Sequence, residues 1–248
     1  MRTRLAGILG VLVIGLAFCA TALGQAAEAP PIKVGAIFAI TGPASFLGAP
    51  ESKTAEMFVD KINAAGGVNG QKMQLIIKDS AASAEKTIAF AKQLIEEDKV
   101  LAIIGPSTTG ESLGIKDICQ EAKTILISCA AAESIVNPVA SYVFKTPQKD
   151  SDAARWIYQT MKAKGILKVG VIASNDGFGK GGQEQLAKLA PEYGITVAIS
   201  ESYDKQATDL TDVLNKVKGL EVQAVVNWSI VPVQSLIAKN MKQIGLDV

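Results

Sequence analysis

Hydroxyls, glycines and scattered carboxylates are the residues whose grouping could do chemistry. Gly105-Pro106-Ser107-Thr108-Thr109-Gly110 sets three hydroxyls at the start of an apolar-periodic stretch. The free N–H groups of a starting helix stabilise an anion there, and Ser107 or Thr108 capping the helix leaves its neighbours free to bind. Cys129-Ala130-Ala131-Ala132 is either a plain loop of small residues or a gap that leaves room and bare backbone for a ligand. Thr41 to Gly48 joins a turn to two apolar side chains, Phe46 and Leu47. Trp228 ends an apolar run, where an aromatic covers a ligand or simply packs. Gly177-Phe178-Gly179-Lys180-Gly181-Gly182 has the G-x-G-x-x-G form of a dinucleotide loop, with Glu201 near the end of the next strand. Three residues, Ser174-Asn175-Asp176, separate it from its strand, and Asp176 has the wrong sign for a pyrophosphate that Lys180 only partly offsets. A nucleotide-dependent enzyme is therefore the least favoured reading.

No catalytic constellation accompanies these loops. The chain has no histidine, which excludes a His-based triad and any His-ligated metal site. Its three cysteines form no C-x-x-C pair, so a zinc or redox centre is not expected. Asp79, Glu111, Glu133 and Asp176 are dispersed acids that read as solvated or capping carboxylates. The expectation is a protein without catalytic residues, metal or cofactor.

The elements that would position these loops alternate along the chain. Strands are expected at 32–39, 72–78, 100–104, 124–128, 142–145, 168–173, 195–200 and 223–227. Helices are expected at 48–65, 83–98, 108–122, 150–164, 179–193, 209–218 and 233–244, the first three with an apolar stripe at helical spacing. Near-continuous apolar strands joined by helices imply parallel sheets covered on both faces. The strand at 142–145 restarts the pattern, and Pro138 to Pro147 marks a crossing between two lobes, 27–145 and 146–248. Every loop named above follows a strand, where open parallel sheets bind ligands. Cys119 falls on the apolar stripe of its helix and reads as a core residue; after export a bond to Cys129 is the other reading.

With 248 residues, 25 Lys+Arg against 24 Asp+Glu and 48% hydrophobic residues, the chain suits one large or two small α/β domains. No half is strongly basic, so no nucleic-acid partner is expected. The first 26 residues read as a cleaved signal peptide: Arg2 and Arg4, an uncharged apolar run from Leu5 to Ala20, then Gly24-Gln25-Ala26 as the cleavage signal. A cut after Ala29 would place Pro30 next to it, and an uncleaved anchor would need a longer run than this. A lipoprotein signal is rejected because bulky Phe18 precedes Cys19. Removing the segment takes two arginines and no acid, which turns the net charge of +1 negative.

Five motifs come in a telling order: Ile32-Lys33-Val34-Gly35, Thr41-Gly42-Pro43, Asn63-Ala64-Ala65-Gly66-Gly67-Val68-Asn69-Gly70, Ile104-Gly105-Pro106-Ser107-Thr108-Thr109 and Val143-Phe144-Lys145-Thr146-Pro147-Gln148. With the signal peptide, they make the chain resemble the solute-binding proteins of branched-chain and hydrophobic amino-acid ABC transporters. The last motif is similar to a subgroup that takes aromatic carboxylates. The resemblance covers residues 31–248 and implies the type I periplasmic binding fold: two Rossmann-like lobes, parallel sheets flanked by helices, with a ligand between them. It implies a periplasmic protein that hands a small apolar carboxylate to an ABC transporter membrane permease. It implies that Ser107, Thr108 and Thr109 hold the carboxylate, Thr109 matching the family's hydroxyl most closely. Ala130, Ala131 and Ala132 would supply backbone contacts, Ala132 standing where amino-acid binders usually carry threonine. Phe46 or Leu47 and, from the second lobe, Phe178 and Trp228 would form the apolar wall. Family members continue beyond the point matching Val248 to complete the first lobe, and the acid that pairs with an amino-acid ammonium lies there. Without that part the first lobe is expected to expose an apolar sheet face and an unpaired edge, and the chain alone to be poorly stable. A ligand-sensing ectodomain of the same fold is the alternative, which a following transmembrane or kinase segment would mark.

Overall fold

The computed structural model describes residues 29–248. The expected signal segment Met1–Ala26, with Cys19, lies outside the described residues.

Among the described residues, eight strands and seven helices alternate as the pattern requires. The chain runs β1 (Ile32–Phe38), α1 (Ser45–Ala64), β2 (Met73–Asp79), α2 (Ala84–Glu96), β3 (Ala102–Ile104), α3 (Thr109–Glu121), β4 (Ile125–Ser128) and β5 (Val143–Lys145). It continues through α4 (Asp150–Ala163), β6 (Lys168–Ser174), α5 (Gly177–Tyr193), β7 (Thr196–Tyr203), α6 (Thr211–Lys218), β8 (Ala224–Trp228) and α7 (Ser235–Gln243). The strands form two parallel sheets, ordered β2-β1-β3-β4-β5 and β7-β6-β8. Parallel strands need a crossover between them, and each crossover here carries a helix or a short 3-10 turn, such as Glu133–Ile135 after β4. Among the described residues, Cys119 and Cys129 are free thiols, Cys119 buried in the core as its stripe predicts.

The two sheets are not equally covered. Parallel register sends paired residues to the same face, so Ile76, Gly35, Ile103, Leu126 and Val143 share one face of the first sheet. That face packs under α2 and α3 through Leu94, Ile115 and Cys119. The adjacent row, Ile77, Ala36, Ile104, Ile127 and Phe144, lies on the other face. There Ile77, Ile104 and Ile127 are half-buried and Phe144 is 52% exposed. The helix on that side is α1, which runs twenty residues yet buries only Gly48 and Ser52. The expectation of sheets covered on both faces therefore holds in full for the second lobe; in the first, α1 lies against β1 and β2 and leaves the β3–β5 part of that face less covered. In the second lobe α4 and α5 cover one face through Tyr158, Leu186 and Leu189, and Leu214, Val217 and Ile237 of α6 and α7 cover the other.

Two boundaries differ from the sequence pattern for local reasons. The Gly177–Gly182 stretch is not a loop but the first two turns of α5. Asp176 caps it by accepting from the Gly179 N–H at 2.9 Å, which offsets the poor helix propensity of four glycines. Likewise α1 starts at Ser45 rather than Gly48, so Phe46 and Leu47 stand on a helix.

Candidate functional site

The carboxyl ends of the strands in both lobes face a cleft of about 610 Å³. The first lobe contributes Pro43 and Ala44 after β1, Ala81 to Ala84 after β2, and Thr108 to Glu111 after β3. The second contributes Asp176 to Phe178 after β6, Lys205 and Gln206 after β7, and Ile230 to Pro232 after β8. The lobes meet beside it: a Cβ on Gly177 would lie 3.2 Å from both the Gly110 amide nitrogen and Thr109 Cγ2. Most of the wall is apolar, as ligand clefts generally are.

Local chemistry holds these loops in place. Asp79, at the end of β2, accepts from the N–H groups of Ile40, Thr41 and Ala81 and from the Thr41 hydroxyl at 2.7 Å. Burial pushes its carboxyl up, but these four donors outweigh that and hold it below its ordinary range. The loop that follows contains Ala81 and Ala82 at φ 52 and 60, left-handed conformations that alanine rarely adopts. At the head of α3, Glu111 accepts from the Thr108 N–H and hydroxyl, and also from the Thr87 hydroxyl at 3.1 Å. This is a capping box, and it takes up Thr108 as the capping reading expects.

The neighbouring hydroxyls part company. Ser107 accepts from the Ala39 N–H at 3.0 Å and donates a short hydrogen bond to Glu51 on α1. It is buried, it does not line the cleft, and both ends of its hydroxyl are used. Burial pushes the Glu51 carboxyl up; the Ser107 hydroxyl counters this, and the charge of Glu111 adds to the rise. Thr109 is 1% exposed, lines the cleft, and its Oγ1 has no hydrogen-bond partner. An unpaired buried hydroxyl costs about 1–3 kcal/mol, so a native protein keeps one where something else pairs it.

The other expected contacts divide in the same way. Phe178 lines the cleft, and Trp228 stands behind it with ring centroids 5.7 Å apart. Trp228 is buried against Gly182 and supports Phe178 rather than facing the cavity. Ala130 and Ala132 are core residues of the first lobe, and the Ala131 carbonyl accepts from Lys145 Nζ at 2.8 Å. None of the three lines the cleft. Phe46 is exposed on α1 and Leu47 is half-buried; neither lines it. Sequence reading passed over Ala81 to Ala84, Lys205, Gln206 and Ile230 to Pro232. All follow strand ends, so the rule that picked the other loops also covers these.

Electrostatically the cleft favours an anion. The N-termini of α2, α3 and α5 all border it, each bearing partial positive charge. Its acids are engaged, Glu111 in the capping box and Asp176 on the Gly179 N–H. Lys205 has no carboxylate within ion-pair distance among the described residues. The glycines of the dinucleotide-like stretch are taken up by packing. A Cβ on Gly179 would lie 1.8 Å from the Ser174 carbonyl oxygen, and one on Gly182 would lie 2.3 Å from the Trp228 indole.

Residues 31–248 match the family model described as periplasmic binding protein. The leucine-, isoleucine-, valine-, threonine-, and alanine-binding protein of Pseudomonas aeruginosa is 27% identical over 224 residues, 88% of this chain and 59% of that protein. An extracellular ligand-binding receptor of Rhodopseudomonas palustris is similar in structure with a TM-score of 0.79 and 31% identity, over 88% of this chain and 59% of that one. The branched-chain amino acid transporter substrate binding protein of Streptococcus pneumoniae, solved in complex with isoleucine, has a TM-score of 0.70 and 27% identity, over 79% of this chain and 56% of its own. The chain thus spans somewhat under three-fifths of the length of these relatives.

Proposed function

The chain belongs to the periplasmic binding protein family, and we propose that within it the protein captures a small, largely apolar carboxylate for an ABC importer. The protein is exported, holds its ligand between the lobes in the periplasm, and delivers it to a membrane permease without chemical change. The observation that carries this reading is the unpaired Thr109 hydroxyl, buried at the head of α3 in an apolar cleft. A carboxylate there accepts from Thr109 and from the first-turn N–H groups, while Phe178 covers the apolar end from the other lobe. A ligand touching both lobes favours the closed state by the difference in its affinity for the two states.

The relatives' printed ligands, branched-chain amino acids among them, make such amino acids one candidate class. Acids without an α-amino group, benzoates and cinnamates included, are the other candidate class. A thermal-shift screen of the complete gene product against branched amino acids, phenylalanine, benzoates and cinnamates tests the reading. Stabilisation by an apolar acid is expected. If every compound leaves the melting temperature where it was, the proposed class is wrong.

A further inference from the structure

Outside the cleft, the lobes touch at a second place that carries its own chemistry. Asp150 opens α4, is 2% exposed, and its Oδ2 has no hydrogen-bond partner. A contact between the lobes lies over it. A Cβ on Gly181 of α5 would lie 3.0 Å from that oxygen and 3.5 Å from the Cβ of Ala132 in the first lobe. Beside it Glu133 has a second buried, unpartnered oxygen, Oε2. The nearest cation, Lys145, donates to the carbonyls of Ala131, Pro147 and Gln148 at 2.8, 2.9 and 2.8 Å. It acts on Asp150 as a nearby charge, its three N–H groups being used elsewhere. The surrounding charges are Lys149, just before α4, Asp152 on α4 and, on α5, Glu184, which with Glu133 borders a small hollow of about 140 Å³.

We propose that closing the lobes takes up a proton at Asp150, so that the cleft grips its ligand more tightly as the pH falls. The proposal rests on the reading of the cleft as a ligand trap and adds a regulator to it. A buried carboxylate with an unpaired oxygen is much costlier than the neutral acid, and parting Ala132 from Gly181 returns water to it. Burial is the largest influence; Lys145 opposes it and Glu133 reinforces it, and together they push the closed-state carboxyl up to about 6. Opening brings it back toward the ordinary 3.8. Between those values the closed state holds a proton that the open state lacks. Closure is therefore favoured below pH 6 and loses that advantage as pH rises through it. Affinity at pH 5 should exceed that at pH 7.5, by about tenfold at most.

Two measurements on the full-length protein test this without a ligand. Carbon-13 titration of the aspartate carboxyls, with the Asp150 signal assigned by its loss in Asp150→Asn, should give a midpoint raised above the ordinary 3.8 toward 6, and Glu133→Gln should lower it. A fluorophore pair, one dye on each lobe, should report closer lobes at pH 5 than at pH 7.5, and Asp150→Asn should abolish the difference. An Asp150 midpoint in the ordinary carboxylate range, or a lobe separation indifferent to pH, overturns the proposal. Should Asp150→Asn not fold, the signal that Glu133→Gln moves identifies Asp150 and the wild-type titration decides. If no compound of the screen binds while both pH responses persist, the ligand reading fails and the proton-linked contact stands.

Discussion

Ser107 and Thr109 lie two residues apart and do different work. The Thr109 hydroxyl has no protein partner, so Thr109→Ala removes a ligand contact and little else. The variant should lose about 1–3 kcal/mol of binding to whichever acid the screen identifies, roughly 5- to 150-fold in Kd, with an unchanged melting temperature in the absence of ligand. Ser107→Ala breaks hydrogen bonds to Ala39 and Glu51 and leaves a half-buried carboxylate without its donor. It should lower stability by about 1–3 kcal/mol, seen in urea unfolding of the ligand-free protein. Calorimetry and unfolding on both variants check the pair; equal loss of binding with equal loss of stability would show that the hydroxyls share one role. The sequence announces that a hydroxyl-rich helix start lies at the end of β3. It does not say which hydroxyl turns inward, because the partner that claims Ser107 is Glu51, 56 residues away.

Element boundaries were legible to within a few residues, because apolar periodicity records which face of each element is buried. What periodicity does not record is how closely two elements approach, and the glycines of α5 show this. As a string they suggest a phosphate loop; in the fold each lets something come near. Gly179→Ala drives a methyl into the Ser174 carbonyl, which is backbone and cannot turn aside, and Gly182→Ala drives one into Trp228. Both should destabilise the second lobe by at least about 1–3 kcal/mol, visible as a lower melting temperature. Gly177→Ala meets Gly110 and Thr109 across the cleft instead. It should spare the ligand-free melt and weaken ligand binding, because it obstructs closure rather than folding. A Gly177→Ala protein that melts like Gly182→Ala would mean that the interlobe approach is part of the folded core.

Across the whole molecule, the two sheets differ in how much of their apolar surface is covered, and that difference has a thermodynamic consequence. The three-stranded sheet is sandwiched between helix pairs, whereas the five-stranded one presents Ile104, Ile127 and Phe144 on a face that α1 only partly shields. The alternation of strands and helices predicted covered sheets, and it is silent on which strands lie beyond a helix's reach. Half-buried isoleucines forfeit part of the roughly 25 cal/mol per Å² that full burial supplies, and contiguous apolar surface recruits other apolar molecules. A polypeptide of these 248 residues produced by itself should bind 8-anilinonaphthalene-1-sulfonate under native conditions. Hydrogen exchange should show β3 to β5 less protected than β6 to β8. Ile127→Thr combined with Phe144→Ser should reduce the dye signal while leaving exchange in the second lobe unaltered. A single sharp melt above body temperature, with no dye bound, would show that α1 shields this face better than its side-chain burial suggests.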